Sequence, residues 1–123
     1  MWTVSRQIDA PAAAAWSVLT DLGEWPKWGL TVAGAELAAP GPLQLGSRGT
    51  VWTAVGVPLP FEITEFQPGG MWAWKVGGVA ATKHGVEPAG TGARVWMSSP
   101  VWAPAYLPVL AIALRRIEGL VTA

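Results

Sequence analysis

Between Thr31 and Ser99 the chain is punctuated at short intervals by Pro40-Gly41-Pro42, Gly46, Pro58, Pro68-Gly69-Gly70, Gly77-Gly78 and Pro88-Ala89-Gly90. The runs between these breaks carry Val, Trp and Thr, residue types that suit a pleated, half-buried surface. Few helices could survive such spacing, so the segment reads as successive hairpins of an antiparallel sheet. Strands are expected at about 31–38, 48–55, 60–66, 71–76, 79–87 and 93–99. A further strand opens the chain, where Trp2, Val4, Arg6 and Ile8 alternate with Thr3, Ser5 and Gln7 in the period of a half-buried strand.

Helical texture flanks this region. Pro11 suits a first helical turn, where its missing N–H would have no partner anyway. The Ala-rich stretch after it places Ala12, Trp16 and Leu19 on one face, and Gly23 and Pro26 bracket a second short turn bearing Trp25 and Trp28. From about Pro104 to Val121, Leu107, Leu110, Leu114, Ile117 and Val121 recur three or four apart and make one apolar stripe. Residues 101–114 are uncharged, but a bilayer span needs about 20 apolar residues. Two prolines interrupt this stretch and Arg115-Arg116 closes it, so a buried helix is expected and no integral membrane segment.

The 123 residues are expected to form one domain, 1–123. Charged residues make up 13% of the chain, about half the usual share, while hydrophobic ones reach 51%. The apolar excess must fill a rich core or line a cavity or an interface. Eight basic and eight acidic side chains balance without a basic cluster, which argues against a nucleic-acid partner. There is no cysteine, so disulfides, zinc–thiolate sites and thiol nucleophiles are excluded. The N-terminal residues lack the apolar stretch of a signal peptide, and a cytoplasmic protein is expected.

The order strand, two short helices, six strands and a long helix resembles the helix-grip arrangement of the START and Bet v 1-like (SRPBCC) superfamily. Ile8-Asp9-Ala10-Pro11, then Trp16 to Asp21, then Trp25-Pro26-Lys27-Trp28 resembles the opening of its polyketide cyclase-like branch. Ile63-Thr64-Glu65-Phe66-Gln67-Pro68 followed by Trp72-Ala73-Trp74-Lys75 is similar to its fourth and fifth strands, and Gly90 to Val95 to the turn into its last. The resemblance covers nearly the whole chain; its C-terminal helix is more apolar than usual, Pro-interrupted and short. It implies an α+β fold, with a curved seven-stranded antiparallel sheet around a long C-terminal helix and a cavity between them. That scaffold hosts lipid carriers, hormone binders, polyketide cyclases and chaperone partners, so it does not by itself fix an activity.

Nine tryptophans in 123 residues are the most unusual compositional feature. Alternation places Trp72, Trp74 and Val76 on one side of their strand, opposite Lys75; Thr82, His84 and Val86 opposite Lys83 and Glu87; and Ala93, Val95, Met97 and Ser99 opposite Arg94 and Trp96. The polar set belongs on the solvated face, so the other should face the long helix. Any one Trp can be core filling, whereas the set together suits a cavity for flat or extended apolar ligands. The expected ligand-binding residues are Trp28, Trp72, Trp74, His84, Val86, Met97, Tyr106 and Leu110.

His84, the only histidine, is the one candidate for acid–base chemistry near neutral pH, set against a plain structural role as a neutral, hydrogen-bonded ring. No orienting partner for it is visible in the sequence, and no catalytic residue is assigned. Neither a metal site nor a cofactor is expected, because one histidine and no paired carboxylates offer too few ligands. Arg6 falls on the inward phase of its strand and could pair with a buried carboxylate such as Glu65, or reach out at the strand's edge. Tyr106 could offer its hydroxyl to the cavity or pack the helix start.

Three readings of function follow. The favoured one is binding, with transport as a variant, of a hydrophobic small molecule such as a lipid, isoprenoid or polyketide. The others are a polyketide cyclase or dehydratase in which His84 or Tyr106 moves a proton, and an interaction module whose apolar helix docks a partner or a second copy, giving a homodimer.

Overall fold

The glycines at positive φ fall in the connections between elements, as at Gly77 and Gly78 between β5 (Met71–Val76) and β6 (Val79–Ala89). In the computed structural model, which describes residues 1–122, the β5–β6 hairpin turns on Gly77 and Gly78 alone, with φ of 60° and 79°. A two-residue loop with both central residues at positive φ matches the right-handed twist of the strands it joins, and glycine takes it without steric penalty.

The elements are β1 Trp2–Ile8, α1 Ala12–Thr20, α2 Trp25–Trp28, β2 Val32–Leu37, β3 Arg48–Thr53, β4 Pro58–Gln67, β5 Met71–Val76, β6 Val79–Ala89, β7 Gly92–Ser99 and α3 Leu107–Thr122. The strands form one antiparallel sheet in the order β1-β7-β6-β5-β4-β3-β2, so the first strand closes against the last and β1 and β2 are the two edges. The curved sheet holding α3 on its concave side is the α+β helix-grip fold.

The helix packs chiefly on β1 and β7 among the strands, and on α1 and α2. Leu110, Ala113, Leu114 and Ile117 are buried there, in one apolar core with Ile8 of β1 and Val95 and Met97 of β7. The apolar stripe does the same work as expected, but it begins later. Pro104–Tyr106 form a single 3-10 turn, and the α-helix starts only at Leu107, with Pro108 inside its first turn where the missing N–H breaks no hydrogen bond.

The structure departs from the plain alternation of β1 and decides between the two readings of Arg6. Only Ile8 of the inward phase is fully buried; β1 is an edge strand of the sheet. Of the two placements open to Arg6, the side chain takes the outward reach at the strand's edge and not a pairing with Glu65. It crosses to α3 and bonds the Glu118 carboxylate through Nη2 at 2.9 Å and Nε at 3.1 Å, at a partly exposed site. Glu65 lies across the sheet and pairs with Lys83 at 2.9 Å. On the outer face Trp96 lies over Gly85, where a Cβ would collide with the indole.

Candidate functional site

The sheet's concave face has two regions. Under α1 and α2 it is packed solid with aromatic rings. Trp25 stacks on Trp72 at 5.0 Å between ring centroids, and Trp72 stacks on His84 at 4.0 Å. Trp74 and Phe61 meet this column edge-on. Helix α1 ends without a cationic side chain to cover its last carbonyls. The indoles cover them. Trp25 and Trp72 both donate to the Leu19 carbonyl, at 2.9 and 3.1 Å, and Trp28 donates to that of Val18 at 3.1 Å. These three indoles thus find the N–H partner they need on the helix they support.

Beyond Trp74 the face is open. A cavity of about 550 Å³ lies between the sheet and the segment leading into α3. Its walls come from Val51 and Thr53 of β3, Trp74 and Val76 of β5, Ala80, Ala81 and Thr82 of β6, and Tyr106. A register shift in the β5–β6 ladder between Ala73 and Lys75 contributes to this shape. Strict alternation would send every second side chain away, and a bulge re-aims the strand so that consecutive residues meet the same space. A second space, about 40 Å³, adjoins the first; Trp28, Trp72, His84 and Leu110 line it. Thr31, Val32, Trp74, Thr82 and Tyr106 belong to the walls of both. The hydroxyls of Thr31 and Tyr106 hydrogen-bond at 2.6 Å, tying the start of β2 to the turn before α3.

Polar groups beside the cavities form one short chain. Trp74 Nε1 donates to Thr82 Oγ1 at 3.1 Å, and that hydroxyl shares a 2.8 Å hydrogen bond with His84 Nε2. His84 Nδ1 has no partner among the described residues. Burial pulls the ring's pKa from 6.5 down to about 3, against a smaller opposing contribution from the Trp72 backbone. The imidazole is therefore neutral near pH 7. It is too weakly basic there to serve as an efficient proton acceptor, since transfer works best when the pKa lies near the operating pH.

The expected binding residues divide accordingly. Trp74 and Tyr106 line the large cavity as well as the small one, while Trp28, Trp72, His84 and Leu110 line only the small one. Val86 and Met97 line neither; both are buried in the core, on strands covered by α1 and, for β7, also by α3. Thr82, one of the hydroxyl-bearing residues both spaces share, was placed inward by alternation but not singled out. The walls from β3 and the rim residues Val55, Val79 and Trp102 were not anticipated, although their uncharged loops are visible in the sequence. Among the described residues no group of three or more His, Asp or Glu side chains converges to hold a metal ion.

The family model described as polyketide cyclase / dehydrase and lipid transport matches residues 2–119. The chain belongs to that family. Solved structures agree on the fold of this family member. Protein NE0264 from Nitrosomonas europaea is 14% identical, with a TM-score of 0.72 over 98% of this chain and 92% of that one. Protein MLL2253 from Mesorhizobium loti is 18% identical, with a TM-score of 0.73 over 98% and 95%. The Aha1 dimer from Colwellia psychrerythraea is 15% identical, with a TM-score of 0.70 over 98% and 94%. Among curated proteins, none matches by sequence.

Proposed function

We propose that this family member binds a hydrophobic small molecule, such as a lipid, isoprenoid or polyketide, in the large cavity. The observation that carries this reading is the lining itself. At about 550 Å³ it has the size of a small-ligand site, and Tyr106 is the only ionisable side chain in its wall. Each ligand CH₂ buried there contributes about 0.8 kcal/mol. The hydroxyls of Thr31, Thr53, Thr82 and Tyr106 are side-chain polar groups in the wall that could orient a carbonyl or hydroxyl on such a ligand.

The family description covers both cyclisation and lipid transport. The wall favours carriage. His84 is neutral, stacked under Trp72, and separated from the large cavity by Thr82, so the proton-transfer role open to it in the sequence loses its support.

A saturable titration with an apolar fluorescent probe tests the reading, followed by energy transfer from tryptophan. Ala81→Phe places a ring in the cavity and should weaken probe binding at least about tenfold, equivalent to 1.4 kcal/mol. His84→Gln should leave it within that factor. Equal binding by the wild type and Ala81→Phe, or no saturable binding by either, would remove the large cavity as the site. Turnover of a ketone-bearing substrate that is lost in His84→Gln with binding intact would restore the enzyme.

A further inference from the structure

The mouth of the cavity is built from three turns at one end of the sheet: β3–β4, β5–β6 and the link from β7 toward α3. Their outermost side chains are apolar and stand in solvent. Val55 is 85% exposed, Trp102 67% and Val101 66%, with Val57 and Val79 also exposed. Trp2 joins them, exposed at the edge, its Nε1 donating to the Val101 carbonyl at 3.0 Å. An exposed apolar cluster of this kind marks a surface that is covered in use.

Charge decides what covers it. Residues 49–61, 76–82 and 95–114 contain no Asp, Glu, Lys or Arg, although sixteen such residues occur in the chain. A protein interface usually surrounds its apolar centre with a polar rim, and these turns provide no charged one. The occupant must also accept or supply an apolar molecule through the opening it covers, and a second protein seated there would seal that opening. A bilayer satisfies both conditions, since its interfacial zone favours indole rings and needs no opposite charge.

We propose that this rim docks on the surface of a lipid bilayer, seating Trp102, Val101, Val55 and Val79 at the headgroup boundary so that the cavity opens toward the acyl chains. The docking goes beyond the binding reading, which supplies only the reason for the traffic. Binding does not depend on anionic lipid. No helix of the described residues is long and apolar enough to cross the membrane, so the contact is peripheral.

Flotation of the full chain with phosphatidylcholine vesicles, and with vesicles containing added phosphatidylglycerol, tests this. The wild type floats with both, and added salt does not strip it. Trp102→Glu lowers the partition coefficient at least about tenfold while circular dichroism stays native, and Trp102→Phe retains most of it. The absence of flotation with phosphatidylcholine overturns the docking, and leaves the cavity in place if the apolar probe still binds. Flotation only with anionic vesicles, lost in salt, overturns it in favour of an electrostatic contact. A dimer in light scattering that Trp102→Glu dissociates assigns the rim to a second copy instead. Flotation without any probe uptake keeps the rim and sinks the cavity reading.

Discussion

Trp72 and Trp102 carry the same side chain to opposite ends of one concave surface, and they end in opposite environments. Trp72 is fully buried, stacked on two rings and hydrogen-bonded to the end of α1; Trp102 stands two-thirds exposed at the cavity mouth. The difference does not lie in the residue but in what covers it. Helices α1 and α2 lie over the sheet at the first place and supply bare carbonyls for indole N–H groups. Over the second, only a 3-10 turn and the first residues of α3 approach, and a cavity is left. One end of the grip is a core, and the other is a doorway.

The largest expected effect tests the core end. Trp72→Ala removes the middle of the Trp25–Trp72–His84 column and one of the two donors to the Leu19 carbonyl. Burying an aromatic and then truncating it costs about 3–5 kcal/mol, with the upper part of that range expected where rings pack on both faces. Denaturant midpoints measure it. A loss below about 1 kcal/mol would mean that the column relaxes freely and that this end is no more a packed core than the mouth.

A smaller effect comes from His84 and sharpens the same contrast, because only a closed region can hold an imidazole so far from its ordinary pKa. The folded ring titrates at about 3 and the unfolded one at 6.5, so below pH 6.5 the unfolded chain binds a proton that the folded chain does not. Stability is therefore complete above pH 6.5 and falls as the pH drops toward 3. Between pH 7 and pH 5 the loss is about 2 kcal/mol, a window in which ordinary carboxylates contribute little. His84→Gln should flatten this slope. A wild-type stability unchanged from pH 7 to pH 5 would show water reaching the ring, and with it an open inner space.

The architecture was legible because its signals are local. Turn residues, strand alternation and a helical stripe each act within a few positions, and all seven strands and the two short helices stand within a few residues of where the pattern put them. Alternation also placed Trp72, Trp74, Thr82 and His84 on the concave face. What alternation cannot tell is how far α3 extends over that face. Val86 and Met97 share the phase of the lining residues, yet lie under the helical layer and are core; Ala80 and Ala81 became wall next to a register shift that no periodicity announces. For Arg6 the sequence left open a reach outward at the strand's edge, and the helix crossing there supplies its partner. The join of elements, not the elements, decided the site.

The smallest expected effect is at the mouth, and it is the sharpest test of the comparison. Trp102→Ala makes the same truncation as Trp72→Ala, indole to methyl. The Trp102 ring takes part in no aromatic stack, and its N–H meets no acceptor among the described residues. Truncating a surface residue away from caps, networks and the core usually changes stability by no more than about 0.5 kcal/mol, against several for Trp72. The two variants measured in the same denaturant series give the comparison directly. Near-neutral stability for Trp102→Ala means that folding does not retain this tryptophan, leaving its exposed ring available for contact with something outside the chain. A loss of about 2 kcal/mol or more would instead show the link before α3 closing over the cavity in solution, with Trp102 as its plug, and the doorway would then be shut in the resting protein.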